Sequence, residues 1–512
     1  MERRDFLLDL ARNAALCAAV PSLWRVRWHP HFADDPFQLG VACGDPTSTG
    51  AVLWTRLAPR PQEPEGGMSG LRTVVTWEVA DDDKFTKIVK QGRATAAPEL
   101  GYSLHIDVDG LEPEHWYFYR FRTGDAASQV GRLRTSPAAS SMTPLRFAFA
   151  SCQHWEQGLF TAYEHMAKEE LDLVAHLGDY IYEYGVGSST IRRHASPEIR
   201  DVNAYRNRYA QYKSDAALQA AHAMAPWVVV WDDHEVDNNY AGLSGENDME
   251  SEEQMHIRRA AAYQAWWEHM PVRVPRVKSW GDLTITRTID WGNLARFHML
   301  DGRQYRTNQA CGDGDQLVPC GDWADPKRSM LGDAQEKWLY DGLAKSKSHW
   351  QVLANQVMVA PFDAEIGPKI RAPMDRWDGY PAARDRMLNT IQRTAANKTV
   401  IITGDIHSNW VNEVHAGFDR PGKPVVAAEF VGTSITSGGD GNEQSARVTN
   451  ALGENPHVKW QNSRRGYVSC RVDSNQWTAD YKTVAFVTKP GAPIETPTKW
   501  RVEHGRPGIQ KL

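Results

Sequence analysis

The sequence predicts a layered α/β domain preceded by a small β-sandwich, and three observations point there. From residue 145 onward, apolar strand-like runs alternate with stretches of helical spacing, the pattern of a sheet covered by helices. Leu145 to Tyr184 reads as one β-α-β unit: an alternating strand to Cys152, helical spacing over Phe160 to Glu170, and an apolar strand Leu171 to Leu177 running into Gly178-Asp179. Before residue 138, short alternating strands are separated by turn signals at the spacing of a β-sandwich.

Taken in order, residues 1–30 read as targeting rather than fold. Arg3-Arg4-Asp5-Phe6-Leu7-Leu8 resembles a twin-arginine export signal, and Ala14 to Val20 is a short apolar region. Glu2, Asp9 and Arg12 depart from that pattern, and an ordinary N-terminal helix is the alternative. No run of eighteen apolar residues occurs, so no membrane-spanning helix is expected. The net charge of −6 supplies no basic field for nucleic acid.

Residues 36–138 form the expected sandwich domain, with a turn at Gly44-Asp45-Pro46 and strands near Val52–Trp54, Val75–Val79, Leu104–Val108 and Trp116–Phe121. Leu111-x-Pro113-x-x-x-Tyr117 looks like the tyrosine corner of fibronectin-type domains. Small residues from Thr135 to Pro144 mark a boundary. Residues 145–490 are then expected to make the layered α/β domain. Helices are expected near 203–224, 253–269, 333–346 and 381–396, and strands near 283–290, 293–300, 350–359, 398–403 and 426–431. The tail, residues 491–512, is rich in Pro and charge and is expected to cover the site or hang free. Cys311 and Cys320 bracket a Gly/Asp-rich loop and suit a disulfide in an exported chain, with a second metal site as the alternative. Cys43 and Cys470 read as small buried hydrophobes.

The chemistry gathers where apolar strands end. Cys152 and Asp179 end the two strands of the β-α-β unit. Trp227 to Trp231 is followed by Asp232-Asp233-His234-Glu235 and Asn238-Asn239, and Lys398 to Thr403 by Gly404-Asp405-Ile406-His407. In open α/β sheets, ligands bind at that rim. A lone Asp after a strand is usually a turn or a cap; clusters at equivalent positions suggest a metal centre.

These residues also carry a resemblance. ASCQ, HLGDYIYEYG, WDDHEVDNNY, LDGRQYRT, WDGYPAAR and TGDIHSNW, in this order, resemble the PhoD-type alkaline phosphatase/phosphodiesterase family, within the calcineurin-like metallophosphoesterase superfamily and related to purple acid phosphatases. The resemblance implies a four-layer α/β/β/α sandwich and an exported, monomeric hydrolase of phosphate mono- or diesters, periplasmic or secreted through the twin-arginine machinery. It implies a centre of Fe3+ with one or two Ca2+. Iron would fall to Cys152, Asp179, Tyr182 and His407, and calcium to Asp179, Asp233, Asn355 and Asp405, with Asp232, Asn238 and Asn239 competing for the role of Asp233. Thiolate and phenolate donate strongly to iron, whereas an oxygen-rich set suits calcium.

His234 would hydrogen-bond a phosphate oxygen or protonate the leaving group, the alternative being a metal ligand or the partner of one. Arg303 would clamp phosphate, the alternative being a structural salt bridge. No Ser-x-x-x-Lys or G-x-S-x-G nucleophile is present, so attack by metal-activated water or hydroxide is expected rather than a phosphoserine. Two other classes stand against this reading: a silent calcium-binding surface protein, and a nuclease on the same scaffold.

Overall fold

Five strands frame the site in the computed structural model, which describes residues 32–189, 191–246, 249–418 and 422–512. The export signal expected over residues 1–30 lies outside these. The strands are β1 (Leu145–Ala150), β2 (Leu173–His176), β3 (Trp227–Val229), β4 (Trp350–Asn355) and β5 (Thr399–Thr403). β1, β2 and β3 run parallel, with Leu173 opposite Phe147 and Val174 opposite Trp227. They form the middle of a sheet in which ten strands are described. β4 and β5, also parallel, lie inside a second sheet of eight described strands.

Strand periodicity explains how the two sheets pack. In β4, Val352 and Ala354 enter the core between the sheets, while Leu353 enters a separate core on the other face; in β5, Val400 and Ile402 divide from Ile401 in the same way. Aromatic side chains fill the space between the sheets: Phe147 of β1 meets Phe297 edge-on at 5.3 Å, and Trp350 of β4 meets Trp477 at 6.1 Å. Helices cover the outer faces. Met166 of α1 (Thr161–Met166) and Leu218 of α3 (Ala216–Met224) join the core of the first sheet. Leu339 of α5 (Gly332–Lys345) and Met387 of α6 (Pro381–Thr394) pack on the second.

The helix expected over 203–224 is two helices. α2 (Val202–Lys213) is capped by Asp201 and ends at Ser214, and Asp215 then caps α3 through the N–H groups of Ala217 and Leu218. α4 (Glu252–His269) opens with a capping box between Ser251 and Gln254. α1 is shorter than its sequence pattern, six residues rather than the whole of Phe160 to Glu170.

The N-terminal region makes a small sheet around Thr73–Ala80 and Trp116–Thr123, packed on strands Val41–Thr47, Gly50–Arg56 and Ser103–Val108. Those last three strands are also the edge of the large sheet, which they join through a parallel pairing of Gly44 with Trp227. Only glycine allows that approach: a Cβ on Gly44 would lie 2.3 Å from the Pro271 carbonyl oxygen. The turn expected at Gly44-Asp45-Pro46 is instead a shift of register inside the strand, where Asp45 takes a positive φ of 44°. Tyr117 makes the expected corner, its hydroxyl accepting from the Glu112 N–H at 3.0 Å. Cys311 and Cys320 are bonded to each other, with Cα atoms 6.1 Å apart.

The tail neither covers the site nor hangs free. Ile494–Glu503 is a ten-residue strand antiparallel to Gln476–Val484, with Trp500 opposite Ala479 and almost fully buried. Pro497 disguised this strand in the sequence. It sits where the pairing shifts register, so its missing N–H costs the ladder nothing there. Strands Asn409–His415, Val458–Arg464 and Gly466–Val472 were also not expected. Asn412 and Gln461 interrupt their apolar pattern; buried Asn412 donates its amide N–H across the sheet to Glu429 at 3.0 Å. If the tail is structural, Trp500→Ala should cost about 3 kcal/mol and lower the melting temperature; an unchanged melt would mean that the strand contributes little.

Candidate metal centre

The strand ends converge on one rim. Cys152 follows β1, Asp179 follows β2, Asp232 and Asp233 follow β3, and Asp405 and His407 follow β5. Their donor atoms form three groups, each within 4.8 Å: Cys152 with Asp179 and His407, Asp179 with Asp233 and His234, and Asp232 with Asp233 and Asp405. Asp179 and Asp233 are shared between groups, so the donors run as one line from a thiol to a pair of carboxylates.

The backbone is strained to make this line. Cys152, Asp179, Asp405 and His407 take φ of 59°, 53°, 62° and 55°, in the left-handed region that costs non-glycine residues of order 1 kcal/mol or more. Gly178, at φ 106°, turns the chain where a Cβ would stand 2.4 Å from that of Asp232. One buried carboxylate pins the result. Glu235 accepts from the N–H groups of Asp179 at 3.0 Å, Tyr180 at 2.6 Å and Asp232 at 2.8 Å, locking the end of β2 to the end of β3.

On the thiol side, the Tyr182 hydroxyl donates to Asp179 at 2.9 Å and lies 3.2 Å from His407 Nε2. Ser437 Oγ holds it from behind at 2.7 Å and sits 2.8 Å from the Cys152 carbonyl. Burial, reinforced by Asp179, pushes the Cys152 thiol and the Tyr182 phenol well above their usual ranges, and burial also raises Asp179. His407 is the more open member, its side chain 37% exposed.

On the carboxylate side, Asp232, Asp233 and Asp405 share the guanidinium of Arg303 at contacts up to 3.6 Å. Burial pushes Asp405 up to about 6. His234 gives Nδ1 to Glu183 at 2.8 Å. Burial opposes its charge, but Glu183, Asp233 and Asp179 outweigh that and raise its pKa well above the ordinary value.

Three sequence expectations change. Arg303 is fully buried and its donors are spent: Nε on Asp232, Nη1 on Asp375 at 2.9 Å and Nη2 on Asp405 at 3.3 Å. This is the salt-bridge alternative, not a free fork for phosphate. Asn355 turns its amide to the Val357 carbonyl and the Trp377 indole. Asn238 and Asn239 direct their amides to Glu246 and Asp313, at 2.8 and 3.0 Å. Glu183, Glu235, Ser437 and Asp375 went unassigned in the sequence. Glu183 and Glu235 lie inside the quoted motifs, where an acid within an otherwise buried run was the available signal.

The donor set fits cations. Asp179 Oδ1 and Asp232 Oδ2 are buried without a hydrogen-bond partner, and closely spaced carboxylates taken out of water need positive charge to remain ionised. Thiol, phenol and imidazole with a shared carboxylate make one half of the line a mixed, strongly donating set, and carboxylates alone make the other half an oxygen set suited to a hard cation.

The PhoD-like phosphatase family model matches residues 147–481, and the model of the PhoD-like phosphatase N-terminal domain matches residues 23–137. Alkaline phosphatase D of Bacillus subtilis (strain 168) is 46% identical over 522 residues, which cover 100% of this chain and 89% of that one. A solved structure of PhoD superposes with a TM-score of 0.91 at 48% identity, covering 94% of this chain and 93% of that one. Purple acid phosphatase PPD1 from yellow lupin seeds superposes at 0.55 with 11% identity, over 91% and 73% of the two chains, a likeness of fold alone.

The Glu235 clamp is testable without knowing the substrate. Glu235→Ala leaves three buried N–H groups unpaired at about 1–3 kcal/mol each. It should lower the melting temperature and speed amide exchange at residues 178–180 and 232. Unchanged exchange there would show that the strand ends hold without it.

Proposed function

The chain belongs to the PhoD-like phosphatase family and is a phosphohydrolase, and from that premise we propose an exported alkaline phosphatase with phosphodiesterase activity, working at a centre of Fe3+ and Ca2+. The observation that carries this reading is the continuous line of donors from Cys152 to Asp405, divided by Asp179 into a strongly donating mixed half and an all-oxygen half. Cys152, Tyr182 and His407 would hold the iron with Asp179, and Asp233 and Asp405 the calcium with Asp179. Asp232, with its unpartnered oxygen, replaces Asn355 as the further calcium ligand.

Such ions, when bound, offset the charge of a phosphoryl group and acidify a water. The chain's own groups do the rest. Glu183 fixes the ring of His234 and favours its protonated form, so that His234 can deliver a proton to the departing ester oxygen. Arg303 keeps Asp232, Asp233 and Asp405 together and acts as a positioning residue. Ser437 orients the Tyr182 hydroxyl.

The same premise supports the architecture as a four-layer α/β/β/α sandwich behind a fibronectin-like sandwich. The two cores of the second sheet and the Tyr117 corner agree with it. Export is supported by Arg3-Arg4 and by the Cys311–Cys320 bond, which suits an oxidising compartment. Among the described residues no helix is long and apolar enough to cross a membrane.

The test is turnover of p-nitrophenyl phosphate by protein from its native compartment, with metal analysis. Activity should vanish with chelator, and Asp405→Ala should lower kcat at least about a hundredfold while melting like wild type. Wild-type turnover in that variant would remove Asp405 from the centre. Tyr182→Phe should bleach or shift the colour of the iron-loaded protein; a colourless, active zinc enzyme would overturn the iron assignment.

A further inference from the structure

A cavity of about 240 Å³ opens beside the centre on the side of His407. Ile406 and Ser408, the neighbours of His407, line it, and so do Arg371, Arg376 and Arg447, brought from two separate parts of the chain. We infer that this cavity is a second anion subsite, in which Arg376 receives a further phosphoryl group of the substrate while the first is hydrolysed at the centre. The inference rests on the phosphohydrolase reading and deepens it: the favoured substrates carry two phosphoryl groups on a short linker, as a bisphosphate or a segment of a phosphodiester chain does.

Arg376 is singled out by what it does not do. Arg371, half-buried, is committed to Glu365 at 3.0 Å, and Arg447, exposed, pairs with Asp315. Arg303 and Arg306, the arginines behind the rim, are buried on Asp375. Arg376 is half-buried, and among the described residues its guanidinium makes no hydrogen bond or ion pair. Its position is nevertheless fixed, between Asp375 and the buried Trp377, and its charge bears on Asp405 and Asp378. A rigidly based guanidinium with open donors beside a phosphate site is suited to a bidentate phosphate contact.

Two further features agree. The cavity holds three guanidinium groups against the carboxylate of Asp315, so it favours an anion even with Arg371 tied to Glu365. Gln461, which lines the same cavity, is only 5% exposed, and its Oε1 has no partner although Nε2 bonds Ser463 at 2.8 Å. A buried, unpartnered amide atom in an arginine-lined cavity is what a polar ligand would satisfy. Ile406 and Ser408 flank His407 in the chain, and the charge of Arg376 reaches Asp405, so the cavity lies within one short linker of the centre.

The experiment compares butyl phosphate with butane-1,4-diol bisphosphate as substrates, and butylphosphonate with butane-1,4-bisphosphonate as non-hydrolysable ligands in calorimetry, on the metal-loaded full chain. The two-phosphorus member of each pair should be favoured about tenfold beyond the statistical factor of two. Arg376→Ala should erase that advantage, and Arg376→Lys, which keeps the charge without the fork, should retain part of it. Arg447→Glu, at an exposed side chain, serves as the second variant should the first not fold, and should also cut the advantage. Equal handling of the two members, or an advantage that survives Arg376→Ala, overturns the subsite. If neither ester nor p-nitrophenyl phosphate is hydrolysed while the calorimetric contrast stands, it is the hydrolase reading that fails and the anion subsite that survives.

Discussion

The carboxylate of Glu235 is the interaction on which the rest of the site depends. Two parallel strands end side by side at Asp179 and Asp232, and each end presents N–H groups that the sheet no longer satisfies. Glu235 accepts three of them at 2.6 to 3.0 Å from one buried position. In a low-dielectric interior such hydrogen bonds are worth more than in water, and their absence costs correspondingly more. The clamp fixes the distance between the end of β2 and the end of β3, and with it the distance between Asp179 and Asp233.

With the ends fixed, the strain around them becomes tolerable. Four donor-bearing residues in left-handed backbone would relax if their loops were free; here Gly178, the clamp and the loop of Ser437 leave them nowhere to go. Strain held this way aims side chains that a regular strand would point sideways. The charges follow the same logic. Carboxylates are gathered more closely than water alone would allow, and Arg303 neutralises them in part from beneath. The remaining negative charge faces outward, toward the line where cations fit.

The large sheet also depends on the segment that precedes it. Gly44 beside Trp227 lets the N-terminal strands continue the sheet, so that the N-terminal region and the α/β region share one sheet. Trp54 in one of those strands donates to the Glu268 carbonyl at 2.8 Å, tying α4 to the same edge. At the opposite edge the C-terminal strand covers what would otherwise be an open row of backbone groups.

Much of this was legible in the sequence, because periodicity and strand-end residues are local. The alternation of Leu145 to Ala150, the apolar run at Trp227 and the Gly-Asp pairs after β2 and β5 placed the sheet and the rim, and the quoted motifs placed the family. Cys311 and Cys320 were legible as a pair from the loop between them. What the sequence could not supply were partners far apart in the chain. Arg303 reads as a free phosphate clamp until Asp232 and Asp405, from two other strands, close on it. Asn355 reads as a ligand until Trp377 and the Val357 carbonyl take its amide. Pro497 reads as the end of structure until the bulge that accommodates it is seen. The sequence determined which residue types stand at the strand ends, since that follows from pattern along one segment. Only the tertiary structure decided which of them still have atoms to spare, since hydrogen-bond capacity is used up by whichever neighbours the fold brings near.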